Sequence, residues 1–360
     1  MSIMSSATRK IIHCDCDCFY AAVEMRDDPR LLHLPIAIGG KSDRRGVVAT
    51  CNYKAREYGV RSAMPTAQAL KLCRDLVVIP ATMAKYREAS LRIREIFYRY
   101  TDKVEPLSLD EAYLDVSDCT QCGGSATLIA AEIRDAIAKE VGVTASAGVA
   151  PNKFLAKVAS DLNKPNGQYV ITPQQVDTFV QSLAVRRING VGKVTNEKLE
   201  RLGIKTCGDL QKFDLLALVN KFGTFGSRLY DLCRGVDERP VNADSRRKSL
   251  SVEHTYGDDL PDYDACTKKL PELLMELRSR LRRVDSDYAV TKQFIKIKFD
   301  DFTSTTLERA VVKGLPLESF EQIGAEAWQR NPRPVRLLGI GVRFIDESEP
   351  GRAIQLDLFH

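Results

Sequence analysis

Long hydrophobic runs are missing from this chain of 360 residues. No apolar stretch approaches the roughly 20 residues that a bilayer-spanning helix needs. The start, Met1-Ser-Ile-Met-Ser-Ser-Ala-Thr-Arg-Lys10, also lacks the hydrophobic region of a signal peptide. The expectation is a cytoplasmic protein with no membrane partner, in which thiols stay reduced. Its ten cysteines then need a reading other than a disulfide framework. Cys119-Thr-Gln-Cys122 has ligand spacing, but no second such pair and no nearby histidine pair completes a zinc centre. A strong excess of one charge is lacking too. Lys and Arg number 53 against 48 Asp and Glu, a net +5 that permits a nucleic-acid partner without requiring one. Residues 174–242 carry 11 basic against 8 acidic side chains, only +3.

What is present is ordinary globular composition, 44% hydrophobic and 28% charged, in a chain too long for one core. Two to four domains are expected. The organising stretch is Ser108-Leu-Asp-Glu-Ala-Tyr-Leu-Asp115, where Asp110 and Glu111 sit between the strand-like runs 104–107 and 112–116. Neighbouring strand side chains point to opposite faces. The pair can therefore share a ligand only where the strand begins or bends, and taken alone it reads first as a polar turn.

Upstream, Ile11-Ile-His-Cys-Asp-Cys-Asp-Cys18 reads as a strand with Asp15 and Asp17 on a wet face and the cysteines buried. A turn-rich segment from about Arg26 to Ile79 suggests a small lobe. From Lys85, Tyr86, Ala89, Ile93, Ile96, Phe97 and Tyr100 recur at helical spacing. A second helix opens at Ser125, an N-cap, with Leu128, Ile129, Ile133 and Ile137 on one side. Gly142 ends it and 143–149 reads as a strand.

The order β-α-β-β-α-β is the ferredoxin-like split motif, with 26–79 inserted in its first connection. In that topology the first and third strands are antiparallel neighbours, which brings Asp15 toward Asp110 and Glu111. Three converging carboxylates repel one another unless cations lie between them. Two divalent metals held by these side chains, substrate phosphates and the Cys16 backbone carbonyl meet that need. The competing reading is that one Asp merely caps a turn.

The runs Cys14-Asp-Cys-Asp-Cys-Phe-Tyr-Ala-Ala-Val-Glu24, Tyr53-Lys-Ala-Arg56, Pro106-Leu-Ser-Leu-Asp-Glu-Ala-Tyr-Leu-Asp115 and Ser146-Ala-Gly-Val-Ala-Pro-Asn-Lys-Phe-Leu-Ala-Lys157 resemble the Y-family translesion DNA polymerases, closest to their bacterial branch. The likeness runs from about Arg9 to the end of the chain. It implies an α+β multidomain fold: a ferredoxin-like palm at 1–18 and 80–173, inserted fingers at 19–79, and a helical thumb at 174–242. A separate α/β little finger at 243–346 and a flexible tail at 347–360 follow.

The resemblance implies two magnesium ions held by Asp15, Asp110, Glu111 and the Cys16 carbonyl, with the carboxylates catalytic. Tyr53, Arg56 and Lys164 match triphosphate contacts, in Tyr-x-x-Arg and Asn163-Lys-Pro-Asn-Gly167. Phe19 and Tyr20 match positions beside the nucleotide, and Tyr20 matches the steric gate that excludes a ribose 2′-hydroxyl. A packing aromatic is the other reading of Tyr20. Primer-template DNA and deoxynucleoside triphosphates are the implied partners of a monomeric enzyme.

Ile188-Asn-Gly-Val-Gly-Lys193, followed by an amphipathic run through Leu199 and Leu202, resembles a helix-hairpin-helix. Gly190, Gly192 and Lys193 would meet a DNA phosphate, with Asn189 where a proline is usual. Phe222-Gly-Thr-Phe-Gly226 reads as a looser second copy. Beyond the tether 245–249, which carries Lys248, the segments 252–255, 293–299 and 337–344 read as strands. Helices are expected at 265–283 and 318–329. Lys296 and Lys298 alternate onto one face, facing either DNA or solvent.

The tail residues Gln355, Leu356, Leu358 and Phe359 resemble the peptide that docks bacterial polymerases on the sliding clamp; a frayed end is the alternative. No segment is left for a proofreading exonuclease, so low fidelity, and low processivity without the clamp, are expected of an enzyme acting in the DNA damage response at the nucleoid. Two other classes compete. A non-catalytic DNA- and clamp-binding adaptor would not need the intact set Asp15, Asp110, Glu111, Arg56 and Lys164. A nucleotide cyclase on the same palm would have no use for the hairpins and the tail.

Overall fold

The computed structural model describes residues 9–42, 45–244, 246–284 and 288–345. The chain divides into two compact units, the second made of Gly40–Val47, Pro65–Ala67 and Arg246–His360. Among the described residues no helix is long and apolar enough to cross a membrane.

In the first unit, strand β1 (Ile11–Cys16) turns at Asp17 and Cys18 into helix Phe19–Asp27. The insertion supplies β2 (Ile36–Gly39), β3 (Val48–Cys51) and β4 (Val77–Ile79), a small sheet ordered β3-β2-β4. Helix Met83–Tyr98 leads to β5 (Val104–Pro106) and β6 (Glu111–Asp115), helix Ala126–Ala136 to β7 (Ala145–Ala150), and helix Lys153–Ser160 to β8 (Gln168–Val170). These strands form one sheet in the order β5-β6-β1-β7-β8, with β1 antiparallel to both neighbours. This is the expected ferredoxin-like motif plus a fifth strand, β8, parallel to β7.

The central place of β1 explains its composition. Ile12, Cys14 and Cys16 point into a core with Ile93, Phe97, Ile129 and Ile133, while Ile11 joins Phe154 and Leu155 on the other face. A strand covered on both faces needs a nearly continuous run of small and apolar side chains. Cys14, Cys16 and Cys18 are buried and free, as expected.

Helix Met83–Tyr98 buries Tyr86, Ala89, Ile93, Ile96 and Phe97, the expected face, and Tyr100 lies just past its end. Ser125 caps the next helix by accepting from the Leu128 N–H. Leu128 itself is 55% exposed, against expectation, because its position points away from the Ile129–Ile133 face. Gly142, at φ +76°, closes this helical stretch as read.

Residues 176–232 fold into short helices, Val176–Ser182, Lys193–Arg201, Cys207–Leu210, Leu215–Phe222 and Thr224–Leu232. Leu199 is buried, but Leu202 is 37% exposed because it falls beyond the end of its helix. The second glycine turn is the shorter of the two. Gly223 alone, at φ +61°, joins helices Leu215–Phe222 and Thr224–Leu232.

The second unit has a four-stranded antiparallel sheet ordered β11-β10-β12-β9. Its strands are β9 (Ser249–Leu260), β10 (Val290–Phe299), β11 (Ser304–Ala310) and β12 (Val335–Phe344). Helix Leu317–Gln329 forms as expected, but the expected helix 265–283 is two, Tyr263–Thr267 and Leu270–Leu281. Pro271 explains the break: it has no N–H to donate and is tolerated only in a first turn, so a new helix starts there.

Candidate active site

Register places the acidic residues. Asp15 on β1 lies directly opposite Glu111 on β6, so their side chains share a face. Glu111 is the first residue of its strand, and Asp110 sits in the turn before it, outside the pleat. The Cys16 N–H donates to the Asp110 carbonyl at 3.0 Å, which ties that turn to the end of β1. The Ser108 hydroxyl holds the Asp110 carboxylate and accepts from the backbone N–H groups of Asp110 and Glu111.

The pair is thus split by an irregular start, as sharing a ligand requires. The carboxylates nonetheless serve two neighbourhoods. Asp15, Asp110 and Cys16 line a cavity of about 340 Å³ with Cys18, Phe19, Tyr20, Arg56 and Lys164. Glu111 faces instead a cluster that the sequence reading missed. Its Oε2 pairs with Lys157 and lies 3.1 Å from His13 Nε2. Ligand atoms of His13, Asp15 and Glu111 lie within 4.8 Å of one another.

The strand period could have found His13, two residues before Asp15 on the same face. Lys157 has no such signal. It reaches Glu111 only because helix Lys153–Ser160 packs across β7 and β1.

Electrostatics follow from this packing. Burial pushes Asp15 above its ordinary 3.8, against the pull of Lys164, whose Nζ lies 2.7 Å from Asp15 Oδ2. Burial also raises Asp110, with the Ser108 hydrogen bond opposing it and the Glu111 charge adding to it. For Glu111, burial raises the carboxyl, but hydrogen bonds from His13 and Lys157 outweigh it and bring it down to about 2. Burial lowers His13 in spite of Glu111, so the ring is neutral and its contact with Glu111 is a hydrogen bond rather than an ion pair. In that form Nε2–H donates to Glu111, and Nδ1 lies 2.8 Å from Ser160 Oγ.

The other cavity residues are held from both sides. Tyr20 stacks on the fully buried Tyr86, ring centroids 4.3 Å apart and 11° from parallel. The Tyr86 hydroxyl in turn donates to Glu24 at 2.7 Å. Phe19 is only 2% exposed and packs against the Tyr20 ring, so it backs the cavity more than it faces it. Asn52 caps helix Tyr53–Glu57, and the Arg56 guanidinium lies 4.6 Å from the Tyr53 ring centroid.

Asp17 overturns the expected wet face. It is 2% exposed and accepts from Thr144, Ser146, Tyr53 and the Asn166 N–H. Beyond Cys16 the chain leaves the pleat, with Cys18 at φ +42°, so the alternation that predicted exposure no longer applies.

Among the residues read as DNA contacts, Gly190 adopts φ +100°, and a Cβ there would come 2.9 Å from the Phe225 ring. Gly192 precedes helix Lys193–Arg201, and the Lys193 side chain is 90% exposed. The Lys248 carbonyl accepts from the Phe344 N–H. Lys296 and Lys298 share a face of β10 as read. Lys296 is bound to Glu253 at 2.8 Å, and Lys298 lies over the Phe302 ring at 4.9 Å. Gln355, Leu356, Leu358 and Phe359 lie outside the described residues.

Residues 14–161 match the impB/mucB/samB family model, 186–237 the thumb domain of DNA polymerase-iota, and 247–358 the impB/mucB/samB family C-terminal domain. DNA polymerase IV of Ectopseudomonas mendocina (strain ymp) is 60% identical, covering 98% of this chain and 99% of the relative. DNA polymerase IV of Pseudomonas fluorescens (strain Pf0-1) is 58% identical with the same coverage.

Among solved structures, the Y-family DNA polymerase chimera Dbh-Dpo4(243-245)-Dbh matches with a TM-score of 0.84 at 28% identity, over 93% of this chain and 98% of that one. The insertion ternary complex of Dbh DNA polymerase matches with a TM-score of 0.69 at 27% identity, over 93% and 99%. The chain belongs to the Y-family translesion DNA polymerases, in the DNA polymerase IV group, and is a DNA-directed DNA polymerase.

Proposed function

We propose that this enzyme adds deoxynucleotides to a primer 3′-end by a two-metal displacement, bypasses damaged template bases with low fidelity, and acts in the DNA damage response. The observation that carries the reading is the apposition of Asp15 and Glu111 across β1 and β6, beside a cavity that Asp15 shares with Asp110, Tyr20, Arg56 and Lys164.

The donor set fits magnesium. Asp15, Asp110, Glu111 and the Cys16 carbonyl offer only hard oxygen atoms. The Lys164 ammonium against Asp15 marks where positive charge is needed. Two magnesium ions held by these groups would activate the primer hydroxyl and neutralise the leaving pyrophosphate, as in polymerases generally.

The protein's own residues do the rest. Glu111, held at about 2 by His13 and Lys157, is an anion at neutral pH. Lys164 and Arg56 give the triphosphate a point charge and a forked donor, and the Tyr53 ring backs the Arg56 guanidinium. Tyr20, backed by Tyr86, cannot retreat from a sugar bearing a 2′-hydroxyl.

The same reading assigns palm, fingers, thumb and little finger to the bounds expected from the sequence. Gly190, Gly192, Lys193, Lys248, Lys296 and Lys298 face DNA, and the 355–359 peptide seats a monomeric, cytoplasmic enzyme on the sliding clamp. Asp110→Ala is the direct test: primer-template affinity should persist while nucleotide addition disappears. Addition near the parental rate in a single-turnover assay would sink the metal assignment.

A further inference from the structure

Asp17 is a buried carboxylate with four donors around it and no part in the chemistry assigned so far. Its Oδ1 accepts from the Ser146 hydroxyl at 2.8 Å and the Tyr53 hydroxyl at 3.3 Å. Its Oδ2 accepts from the Thr144 hydroxyl and the Asn166 N–H, both at 2.8 Å. Four donors fill the acceptor capacity of a carboxylate. Among the described residues no Lys or Arg makes an ion pair with it.

The four partners come from three separate places. Ser146 and Thr144 belong to β7 and its lead-in, Tyr53 to the insertion, and Asn166 to the loop 163–167 that carries Lys164. That loop has little freedom. Asn166 sits at φ +49°, and a Cβ on Gly167 would fall 1.8 Å from the Asn163 carbonyl. Arg134 clasps the Asn166 carbonyl and side chain from the other side. A buried anion is costly to maintain for packing alone, since an apolar group of the same shape serves a core as well.

We propose that Asp17 is a positioning residue for the triphosphate: it fixes the Tyr53 side and the Lys164 loop in one frame, so both meet the same phosphate chain. This rests on the reading of Tyr53, Arg56 and Lys164 as triphosphate contacts. Asp17 touches no substrate. It sets the spacing between groups that do, which is a ground-state binding role and belongs in KM rather than kcat.

The test uses Asp17→Asn in the full chain, with steady-state kinetics on primer-template DNA. The amide keeps the shape but gives up two acceptor sites, and the Asn166 N–H, unlike the hydroxyls, cannot reverse its polarity. KM for the deoxynucleotide should rise about tenfold, the equivalent of one hydrogen bond to a charged group, with kcat and primer-template affinity nearly kept. Inorganic tripolyphosphate, which can occupy only the phosphate part of the site, should lose potency as a competitor by the same factor. A general loosening of the fold would instead lower kcat or the active fraction and leave that competition alone.

Tyr53→Phe combined with Asp17→Asn should raise KM by less than the product of the single effects, because both remove the same contact. If Asp17→Asn does not fold, Thr144→Val carries the test with a smaller rise in KM. Unchanged KM and tripolyphosphate inhibition in the folded variant overturn the proposal. If Lys164→Ala and Tyr53→Phe also leave both quantities unchanged, the triphosphate assignment fails and takes the proposal with it. If they raise KM while Asp17→Asn does not, only the role of Asp17 falls.

Discussion

At the level of single residues, the site is a set of carboxylates pushed in opposite directions. Asp15 and Asp110 are raised by burial, whereas hydrogen bonds from His13 and Lys157 outweigh burial at Glu111 and lower it from 4.5 to about 2. A carboxyl that is more acidic folded than unfolded stabilises the fold above its unfolded value and loses that contribution as pH falls toward the folded one. Glu111 therefore supports the fold fully above about pH 4.5 and progressively less down to about 2, while Asp15 and Asp110 act with the opposite sign. Urea midpoints taken from pH 5 to pH 3 should fall less steeply for Glu111→Gln than for the parent protein. Equal slopes would show that Lys157 and His13 do not hold the ionised form. The acidic residues were legible because Asp-Glu between two strand-like runs is rare chemistry in a simple pattern. Asp17 was misread because alternation was extended past the end of the strand, and the role of Lys157 was missed because nothing in the sequence says which strand helix Lys153–Ser160 packs across.

Elements bring these residues together, and one glycine decides how closely. A Cβ on Gly148 of β7 would fall 2.0 Å from the Ala156 carbonyl and 2.4 Å from the Ser160 N–H. Helix Lys153–Ser160 therefore lies directly on the strand backbone, at the distance that lets Lys157 reach Glu111. Gly148→Ala must push the helix outward, and overpacking of this kind costs typically about 1–3 kcal/mol. The expected result is a lower urea midpoint together with weakened nucleotide addition; a variant with parental stability would mean the helix can shift freely. The long periodic elements, helix Met83–Tyr98 and strand β10, were readable because an amphipathic face repeats over several turns or pleats. Strand β8 has three residues, too few to show a period. Strand β11 is a polar edge strand, Ser304-Thr-Thr-Leu-Glu-Arg-Ala310, whose only buried side chain is Leu307, so its hydrophobic signal is one residue deep.

For the molecule as a whole, the ordering of motifs along the chain was legible, since each carries its own residues. The neutralisation of Lys296 by Glu253 was not, because it depends on which strands become neighbours of β12. The tail belongs to this scale as well. Removing 355–360 should leave distributive primer extension unaltered and abolish stimulation by the sliding clamp; equal stimulation of the truncated enzyme would place the clamp contact elsewhere. One side chain acts on the same scale from inside the first unit. The Arg9 guanidinium donates to the carbonyl oxygens of Asp237, Glu238 and Arg239, closing a loop of 230 residues at the point where the chain enters β1. A chain fastened at both ends behaves as a ring. Loosening either end loosens the other, so fraying at residues 237–239 and fraying at the entry to the strand that bears Asp15 become linked events.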